Sequence, residues 1–304
     1  MSRHWLAQPE RGSRALIRLL TWMTLRLGRP IARWFLYPIC LYFVVFSGGT
    51  QRVSREYLQR ILERRPGWRD VFRHYHAFAS TIHDRVYLLS GRHGYFDIRM
   101  EGASMLQEVI ARKQGCILLG SHLGSFEVLR AHGLFDQQLP ISVIMHEAAA
   151  SNLNAVLHDL HPEIRKRIIQ PGTPDTMLAV KERLDRGELV GILGDRVLGA
   201  EKTMTCNFLG RPRSFPEGPF LLASLLRVPV VLFFGLYEGG RQYAIHFEPL
   251  ADCIPLNRAR RSEAIRPWVE RYVSRLEHYC RLYPYNWFNF YEISDEAHAS
   301  GSHL

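Results

Sequence analysis

Short apolar runs alternate with amphipathic stretches over most of the chain, and this alternation constrains the fold more than any other feature. Runs such as "CILLG" (116–120), "LVGIL" (189–193) and "VVLFFGLY" (230–237) are apolar throughout. Such runs are typical of strands that are buried on both faces. Helical patterns between them indicate strand–helix–strand units. We therefore predict an α/β fold with a mixed, largely parallel sheet flanked by helices.

The alternation continues without an internal repeat or linker, so we predict one domain over residues 51–293 and a flexible tail over 294–304. The predicted strands are 96–100, 116–120, 141–145, 167–171, 189–193, 230–237 and 243–248. The predicted helices lie near 51–65, 67–90, 102–113, 124–135, 149–160, 174–186, 217–226 and 258–281.

The positive charge of the chain is concentrated in its first hundred residues. They contain 17 arginines, no lysine and 6 acidic residues, so 17 − 6 gives +11 against a formal net charge of +10 for the whole chain. Such a block attracts an anionic partner, which can be a nucleic acid, a membrane surface or an acidic protein. The aromatic residues here lie among aliphatic ones and do not form a stacking platform, so nucleic acid is disfavoured.

Residues 1–50 have the pattern of a membrane-associating segment. The stretch 11–30 is a basic amphipathic helix, and 31–46 is apolar except for Arg33 and is interrupted by Pro38. A single span needs about 20 apolar residues, so an interfacial or re-entrant segment is favoured over a clean crossing. The alternative is a buried core helix of the soluble domain.

The five cysteines are scattered and form no CxxC pair. This pattern argues against a disulfide framework and a zinc knuckle, and it fits a reducing, cytoplasmic-facing environment.

A possible catalytic pair follows the predicted strand 116–120. His122 comes just after the strand, in "SHLGSFE", and Glu127 comes five residues after it. Ligands of open α/β sheets bind beyond the carboxyl ends of the strands. If His122 lies in the loop and Glu127 in the first turn of the next helix, the carboxylate can orient the imidazole and stabilise its protonated form. The pair then predicts a general base. The alternative is that HxxxxE occurs here by chance. A metal site is disfavoured, because no second His or Cys lies at ligand spacing.

Three further stretches follow in order: "GILGDR" (191–196), "FPEG" (215–218) and "VPV" (228–230). With the HxxxxE stretch they resemble the lysophospholipid acyltransferase superfamily, and most of all its branch of bacterial lipid A biosynthesis late acyltransferases. The resemblance covers roughly residues 50–290, and the first fifty residues resemble the membrane anchor of that branch. Asp195-Arg196 replaces the usual Asp-Gln of the branch, and FPEG is more typical of glycerol-phosphate acyltransferases, so the acceptor is left open.

The resemblance implies a glycerol-phosphate acyltransferase-like fold and roles for particular residues. His122 is expected to be the general base, Glu127 to orient it, and Arg196 to stabilise the oxyanion with backbone amides near Gly218. Asp195 is expected to position Arg196. The expected substrate-binding residues are Ser121, Asp195, Phe215, Glu217 and Gly218.

The same resemblance implies a membrane-associated acyltransferase. The expected acyl donor is acyl carrier protein (acyl-ACP), with acyl-CoA as the alternative, and the acceptor is the hydroxyl or amine of a lipid or glycolipid. No metal or bound cofactor is implied. The expected partners are acyl carrier protein and the bilayer, at the cytoplasmic face of a bacterial inner membrane, where the protein would be peripheral or monotopic. The alternatives are a glycerol-phosphate or lysophospholipid acyltransferase and a catalytically silent lipid-binding protein. A hydrolase is disfavoured, because the chain lacks GxSxG.

Overall fold

The computed structural model describes residues 14–135, 141–145, 165–172, 174–197, 199, 201–255, 257 and 259–290. In chain order, the helices are α1 (Arg14–Leu27), α2 (Arg29–Trp34), α3 (Leu36–Phe46), α4 (Gly48–Leu62), α5 (Trp68–Leu89), α6 (Ala103–Ala111), α7 (Phe126–Phe135), α8 (Pro174–Asp185), α9 (Gly218–Leu226) and α10 (Arg261–Leu282). The strands are β1 (Asp97–Glu101), β2 (Cys116–Gly120), β3 (Ile141–Ile144), β4 (Ile168–Ile169), β5 (Leu189–Leu193), β6 (Thr203–Phe208), β7 (Arg211–Pro216), β8 (Val230–Gly239) and β9 (Gln242–Ala251).

Seven strands form the main sheet in the order β1-β9-β8-β2-β5-β3-β4. The five strands from β8 to β4 run parallel to one another, and β9 pairs antiparallel with β8. Because β1 pairs parallel with β9, these two strands run against the other five. The predicted α/β class with a mixed, largely parallel sheet is therefore confirmed.

The central strand β2 is buried at every residue, since helices cover both of its faces. Ile117 and Leu119 belong to one hydrophobic cluster, whereas Cys116 and Leu118 belong to the other. This division follows from the two-residue period of a strand, which points successive side chains to opposite faces. An apolar run without alternation therefore encodes a strand with a core on either side.

The structure departs from the predicted elements at the hairpin of β6 and β7, which the sequence pattern did not predict. These strands pair antiparallel outside the main sheet. Their inner side chains include Met204, Cys206 and Phe208, which alternate with exposed residues, so the signal is one of period two and not of a continuous apolar run. The predicted helix 149–160 and the predicted tail 294–304 lie outside the described residues.

The N-terminal helices α2 and α3 pack against α5. Arg29 forms a bidentate ion pair with Asp84, at 2.6 Å from Nε to Oδ1 and 2.8 Å from Nη2 to Oδ2, and Tyr243 donates its hydroxyl hydrogen to the same carboxylate. Cys40 and Val44 of α3 enter the hydrophobic core. These contacts connect the predicted anchor to the rest of the fold, while the predicted boundary near residue 50 stays a prediction.

One described segment, Arg29–Phe46, is long and apolar enough to cross a membrane, judged by length and composition alone. Only 28% of this segment is buried. The segment is therefore a candidate for membrane association.

Candidate active site

The loop after β2 makes a sharp turn that only glycine permits. Gly124 has φ of +76°, in the left-handed region, and a Cβ added there would collide with the carbonyl oxygen of Gly235. The turn is held by the backbone N–H of Ser125, which donates to Gly235 O at 2.6 Å. The loop therefore stays close to β8, and His122 stays in the loop, as the sequence predicts, before α7 begins at Phe126.

His122 makes its side-chain hydrogen bond to Asp195, a residue that follows the neighbouring strand β5. The distance from Nδ1 of His122 to Oδ1 of Asp195 is 2.8 Å, and the backbone N–H of His122 donates to the same oxygen at 3.0 Å. Pairing of β2 with β5 brings the two residues together, and the N–H of Gly194 donates to Gly120 O to extend the ladder to this point. The result is a histidine–aspartate dyad at the carboxyl edge of the parallel strands.

Burial and charge set the protonation states of the dyad. Burial lowers the pKa of His122 below its ordinary 6.5, and the nearby Arg196 lowers it further, while Asp195 raises it. Burial raises the pKa of Asp195, but the charges of His122, Arg196 and Arg213 outweigh burial and hold that pKa well below its usual range. At neutral pH the dyad is therefore a neutral imidazole beside an ionised carboxylate. The side chain of His122 is 29% exposed, whereas that of Asp195 is fully buried, so the histidine is the member that a substrate can reach.

A C-terminal segment, residues 283–290, passes over this site, and we call it the strap. Trp287 donates its indole N–H to Oδ2 of Asp195 at 3.1 Å. The backbone N–H of Phe288 donates to the carbonyl of His122 at 2.8 Å, and the N–H of Gly124 donates to the carbonyl of Asn286 at 2.8 Å. The strap therefore contacts both members of the dyad. Sequence analysis did not single out this aromatic stretch, "YPYNWFNF", because it follows a helix and has no catalytic spacing of its own.

A buried histidine on α5 anchors the strap. Nε2 of His74 lies 2.8 Å from the carbonyl oxygen of Trp287, and Nδ1 lies 2.9 Å from the hydroxyl of Ser54. A carbonyl can only accept, so Nε2 carries the hydrogen and Ser54 donates to Nδ1. Burial lowers the pKa of His74 to about 4, so it is neutral at physiological pH. His74 is thus a positioning group for the strap.

Two arginines lie beside the dyad. Nη2 of Arg196 donates to the carbonyl of Phe288 at 2.6 Å, which fixes its guanidinium against the strap. Arg213, on β7, donates to the backbone carbonyl of Asp195 at 3.3 Å and lies 4.4 Å from the ring centre of Trp287. Burial lowers the pKa of Arg213 to about 10, so it keeps its charge at neutral pH. The carboxylate of Asp195 contacts His122 and Trp287 and also interacts electrostatically with Arg196, so the expectation that Asp195 positions Arg196 stays a prediction.

Glu127 does not make the expected hydrogen bond to His122. It lies in the first turn of α7, as predicted, but its carboxylate lies 3.3 Å from Nη1 of Arg130, one helical turn further on. Asp195 occupies Nδ1 of His122 because the sheet brings β5 beside β2. Arg85 of α5 also interacts electrostatically with Glu127 and with His122. Glu127 is therefore the counter-charge of an arginine pair beside the dyad, and its contribution to catalysis stays a prediction.

The other predicted substrate-binding residues are held within the fold. Ser121 is buried next to the dyad. Phe215 is fully buried, and Glu217 accepts a hydrogen bond from the Ser262 hydroxyl at 2.9 Å. Gly218 is exposed and begins α9. The FPEG stretch thus ends β7 and starts α9, and Arg213 on the same strand contacts the backbone of Asp195. Substrate binding by these residues stays a prediction.

No group of three His, Cys, Asp or Glu side chains in the described part of the chain is arranged to hold a metal ion. The ionisable groups that converge at the carboxyl edge are the dyad and its arginines. Their arrangement can remove a proton from a hydroxyl or amine and can stabilise developing negative charge nearby.

The chain was also compared with known proteins. A family model described as "Bacterial lipid A biosynthesis acyltransferase" matches residues 68–288. This interval is well over half of the chain and contains His122, Asp195 and the strap through Phe288. A search of curated proteins found no match.

Proposed function

Because this chain belongs to the bacterial lipid A biosynthesis acyltransferase family, we propose that it transfers a fatty acyl chain from an acyl thioester to the hydroxyl or amine of a lipid-like acceptor. The observation that carries this proposal is the 2.8 Å hydrogen bond between His122 and Asp195 at the carboxyl edge of the sheet. In this position an imidazole with an ionised carboxylate behind it can act as a general base.

The dyad defines the direction of proton transfer. An ionised carboxylate can only accept, so Nδ1 of His122 carries a hydrogen and Nε2 carries the lone pair. Nε2 removes the proton of the acceptor hydroxyl as its oxygen attacks the thioester carbonyl. The tetrahedral intermediate then collapses, the carbon–sulfur bond breaks, and the leaving thiolate takes the proton from the imidazolium. Asp195 orients the ring throughout and stabilises its positive charge.

Arg196 is the candidate side chain for stabilising the oxyanion of this intermediate. Its contact with the Phe288 carbonyl holds it in place, and an arginine stays charged at any working pH. A preorganised charge near the developing oxyanion lowers the barrier because it needs no rearrangement during the reaction. Unchanged turnover in Arg196→Ala would assign this role to backbone amides instead.

The proposal also includes the identities of the acyl donor and the acyl acceptor. The family resemblance favours acyl carrier protein as the donor. Arginine side chains can pair with the phosphate of its phosphopantetheine arm, and acyl-CoA carries the same arm. The FPEG stretch at 215–218 favours a glycerol-phosphate type of acceptor as the second candidate. The proposed location is the cytoplasmic face of an inner membrane, where both a soluble donor and a lipid acceptor can reach the site.

The proposal is tested by acyl transfer with His122→Ala and with the matched variant His278→Ala, whose histidine is exposed on α10. Purified proteins would be assayed for thiol release from an acyl thioester, and lipids from cells with and without the protein would be compared by mass spectrometry. We expect His122→Ala to lose about 10³-fold in rate and His278→Ala to match wild type.

The lipid spectra distinguish the candidate functions. A lipid one acyl group heavier in the presence of wild type, and absent with His122→Ala, names the acceptor. If wild type produces no heavier lipid, a catalytically silent lipid-binding protein is favoured. If His122→Ala produces the heavier lipid as well as wild type does, His122 is not part of the mechanism.

A further inference from the structure

A group of charged side chains lies beside the dyad, where α5 meets α7. Arg85 belongs to α5, and Glu127 and Arg130 belong to the first two turns of α7. Nη1 of Arg130 lies 3.3 Å from Oε1 of Glu127, and the charge of Arg85 interacts with both residues. Two arginines therefore share one acidic residue, and we call these three side chains the arginine cluster.

The position of Arg85 follows from the contacts that α5 makes with the strap. His74 contacts the strap at the carbonyl of residue 287, and the ring centre of Phe78 lies 5.3 Å from that of Phe288. At 3.6 residues per turn, Arg85 falls on the same face of the helix as these two residues, about 20° from His74. The face of α5 that meets the strap therefore continues to Arg85.

This face of α5 also packs against α7. Leu88, which is less than one turn after Arg85, shares a hydrophobic cluster with Val128 of α7. Helix α7 directly follows the loop that holds His122. Burial is the main cause of the lowered pKa of His122, and the positive charge of Arg85 also contributes to it. Arg85 therefore lies beside this loop, close enough for its charge to affect the base.

Arg85 has no counter-charge of its own. Its Nε is buried and has no hydrogen-bond partner among the described residues, and the described part of the chain gives its guanidinium no ion pair. Glu127, in contrast, is paired with Arg130. Burial lowers the pKa of Arg85, so its surroundings disfavour the charged form. A partly buried arginine without a carboxylate partner costs stability, and such a cost beside a catalytic base indicates a functional use of the charge.

The chemistry of this region selects a phosphate group as the missing anion. Arg196 and Arg213 also lie beside the dyad, so the arginine cluster and the dyad with its arginines together contain four arginines and two acidic residues. This excess of positive charge favours an anionic ligand. The planar guanidinium of arginine pairs bidentately with phosphate oxygens, and these hydrogen bonds are charge-assisted and strong.

We propose that Arg85 and Arg130 form a subsite that binds a phosphate group of the substrate next to His122, with Glu127 holding Arg130 in place. This inference rests on the proposed acyl transfer. The phosphate belongs either to the phosphopantetheine arm of the donor or to the headgroup of a phosphorylated lipid acceptor. Binding of the phosphate at a fixed place beside the base positions the reacting group of that substrate, which lowers the entropic part of the barrier.

The first test measures phosphate binding by thermal unfolding of the full chain and does not require activity. Phosphopantetheine is compared with pantetheine, and lysophosphatidic acid with monoacylglycerol. We expect the phosphate-bearing member of at least one pair to raise the melting temperature of wild type more than its phosphate-free partner does. Arg85→Met should lose this difference. The matched control is Arg112→Met, because Arg112 is exposed before β2 and so lies at the opposite edge of the sheet.

The same experiment without ligand separates a binding role from a structural one. Arg85→Met should melt at the temperature of wild type or above it, because it removes a charge that has no partner. If it melts lower, Arg85→Lys decides, since it keeps the charge and should keep part of the phosphate protection. Equal phosphate protection in wild type and Arg85→Met, or no phosphate-dependent shift in wild type, would overturn the proposal.

The second test identifies the source of the phosphate. Thiol release is measured from acyl phosphopantetheine and from acyl pantetheine in the presence of a total lipid extract. If the phosphate of the donor is bound, Arg85→Met should raise the KM for acyl phosphopantetheine by about tenfold or more and leave the KM for acyl pantetheine unchanged. If the phosphate of the acceptor is bound, both values should stay unchanged, and only protection by lysophosphatidic acid should be lost.

The two tests distinguish failure of the subsite from failure of the proposed function. A wild type that releases no thiol contradicts acyl transfer, while the thermal comparison still decides whether Arg85 binds phosphate. A wild type that turns over, together with equal phosphate protection in Arg85→Met, overturns the subsite alone.

Discussion

At the scale of single residues, the dyad works because each side chain is in an environment that sets its charge. Asp195 is fully buried, which raises its pKa, but His122, Arg196 and Arg213 lower that pKa more strongly and keep the carboxylate ionised. A backbone N–H, the imidazole and an indole N–H all donate to it. His122 is partly exposed and has a lowered pKa, so it is neutral and able to accept a proton at pH 7. These two states are the ones that general-base catalysis requires.

Asp195→Asn tests this arrangement through the pH dependence of the rate. The rate should fall as pH decreases through the pKa of His122, which lies below 6.5 in wild type. Asp195 raises that pKa, so removing its charge should move the acid limb of kcat/KM to lower pH. Loss of imidazolium stabilisation should also lower turnover by about 10²-fold or more. An acid limb that moves to higher pH, or turnover close to that of wild type, would contradict the assignment.

Glu127→Gln is expected to affect stability as well as turnover. The sequence motif predicts a fall of about 10²-fold in turnover. The structure adds that Glu127 and Arg130 form a mostly buried pair, with side chains 12% and 5% exposed. Loss of one charge from a buried pair costs about 3 kcal/mol of unfolding free energy.

The matched control for this change is Glu270→Gln, because Glu270 pairs with Arg266 on the exposed face of α10. Thermal unfolding of the control should be nearly unchanged, since exposed pairs contribute about 1 kcal/mol or less. Equal melting temperatures for Glu127→Gln and wild type would show that Glu127 is not the counter-charge of this site.

At the scale of elements, the strap makes the site from three distant parts of the chain. Its backbone at Phe288 and Asn286 contacts the loop after β2, and the indole of Trp287 contacts Asp195 after β5. The carbonyl of Trp287 contacts His74 of α5. A segment with this many partners fixes the dyad in one geometry, which preorganised catalysis needs.

Trp287→Phe removes the indole N–H but leaves an aromatic ring that can pack against Tyr57 and Phe208. A hydrogen bond to a charged group contributes about 1.5–3 kcal/mol, so turnover should fall by about tenfold or more. The carboxylate of Asp195 would become more basic and would raise the pKa of His122. The acid limb of kcat/KM should therefore move to higher pH, opposite to the shift expected for Asp195→Asn.

The matched control is Trp68→Phe, because Trp68 lies at the start of α5 and is 58% exposed. A Trp287→Phe enzyme with an unshifted pH profile would leave the tryptophan only a packing role.

At the scale of the whole molecule, the N-terminal helices are part of the packed structure. The ion pair of Arg29 and Asp84 is buried, with side chains 4% and 0% exposed. Arg29 also donates its backbone N–H to the Tyr87 hydroxyl at 2.8 Å. Deletion of residues 1–46 is thus expected to expose apolar core at α5 and to lower solubility, contrary to what the sequence pattern alone suggests.

Asp84→Asn tests the attachment without truncation. Arg29 would lose its charged partner in a buried site, at a cost of about 3–5 kcal/mol. We expect a lower melting temperature and faster tryptic cleavage after Arg33. The control Asp97→Asn removes an exposed partner of Arg241 and should leave both unchanged. Equal protease resistance of Asp84→Asn and wild type would mean that the helices are held by apolar packing alone.

The sequence by itself determined the α/β class, the buried strands β2, β5 and β8, and the position of His122 just beyond β2. These follow from local patterns, because burial on both faces requires an unbroken apolar run and a strand end needs a turn. Only the tertiary structure decided the partner of His122, since Glu127 is near in sequence but Asp195 is adjacent in space. The order of strands in the sheet, the course of the strap and the docking of α2–α3 on α5 are long-range choices. They depend on which surfaces fit together and on which buried charges find partners, and no local pattern of residues carries that information.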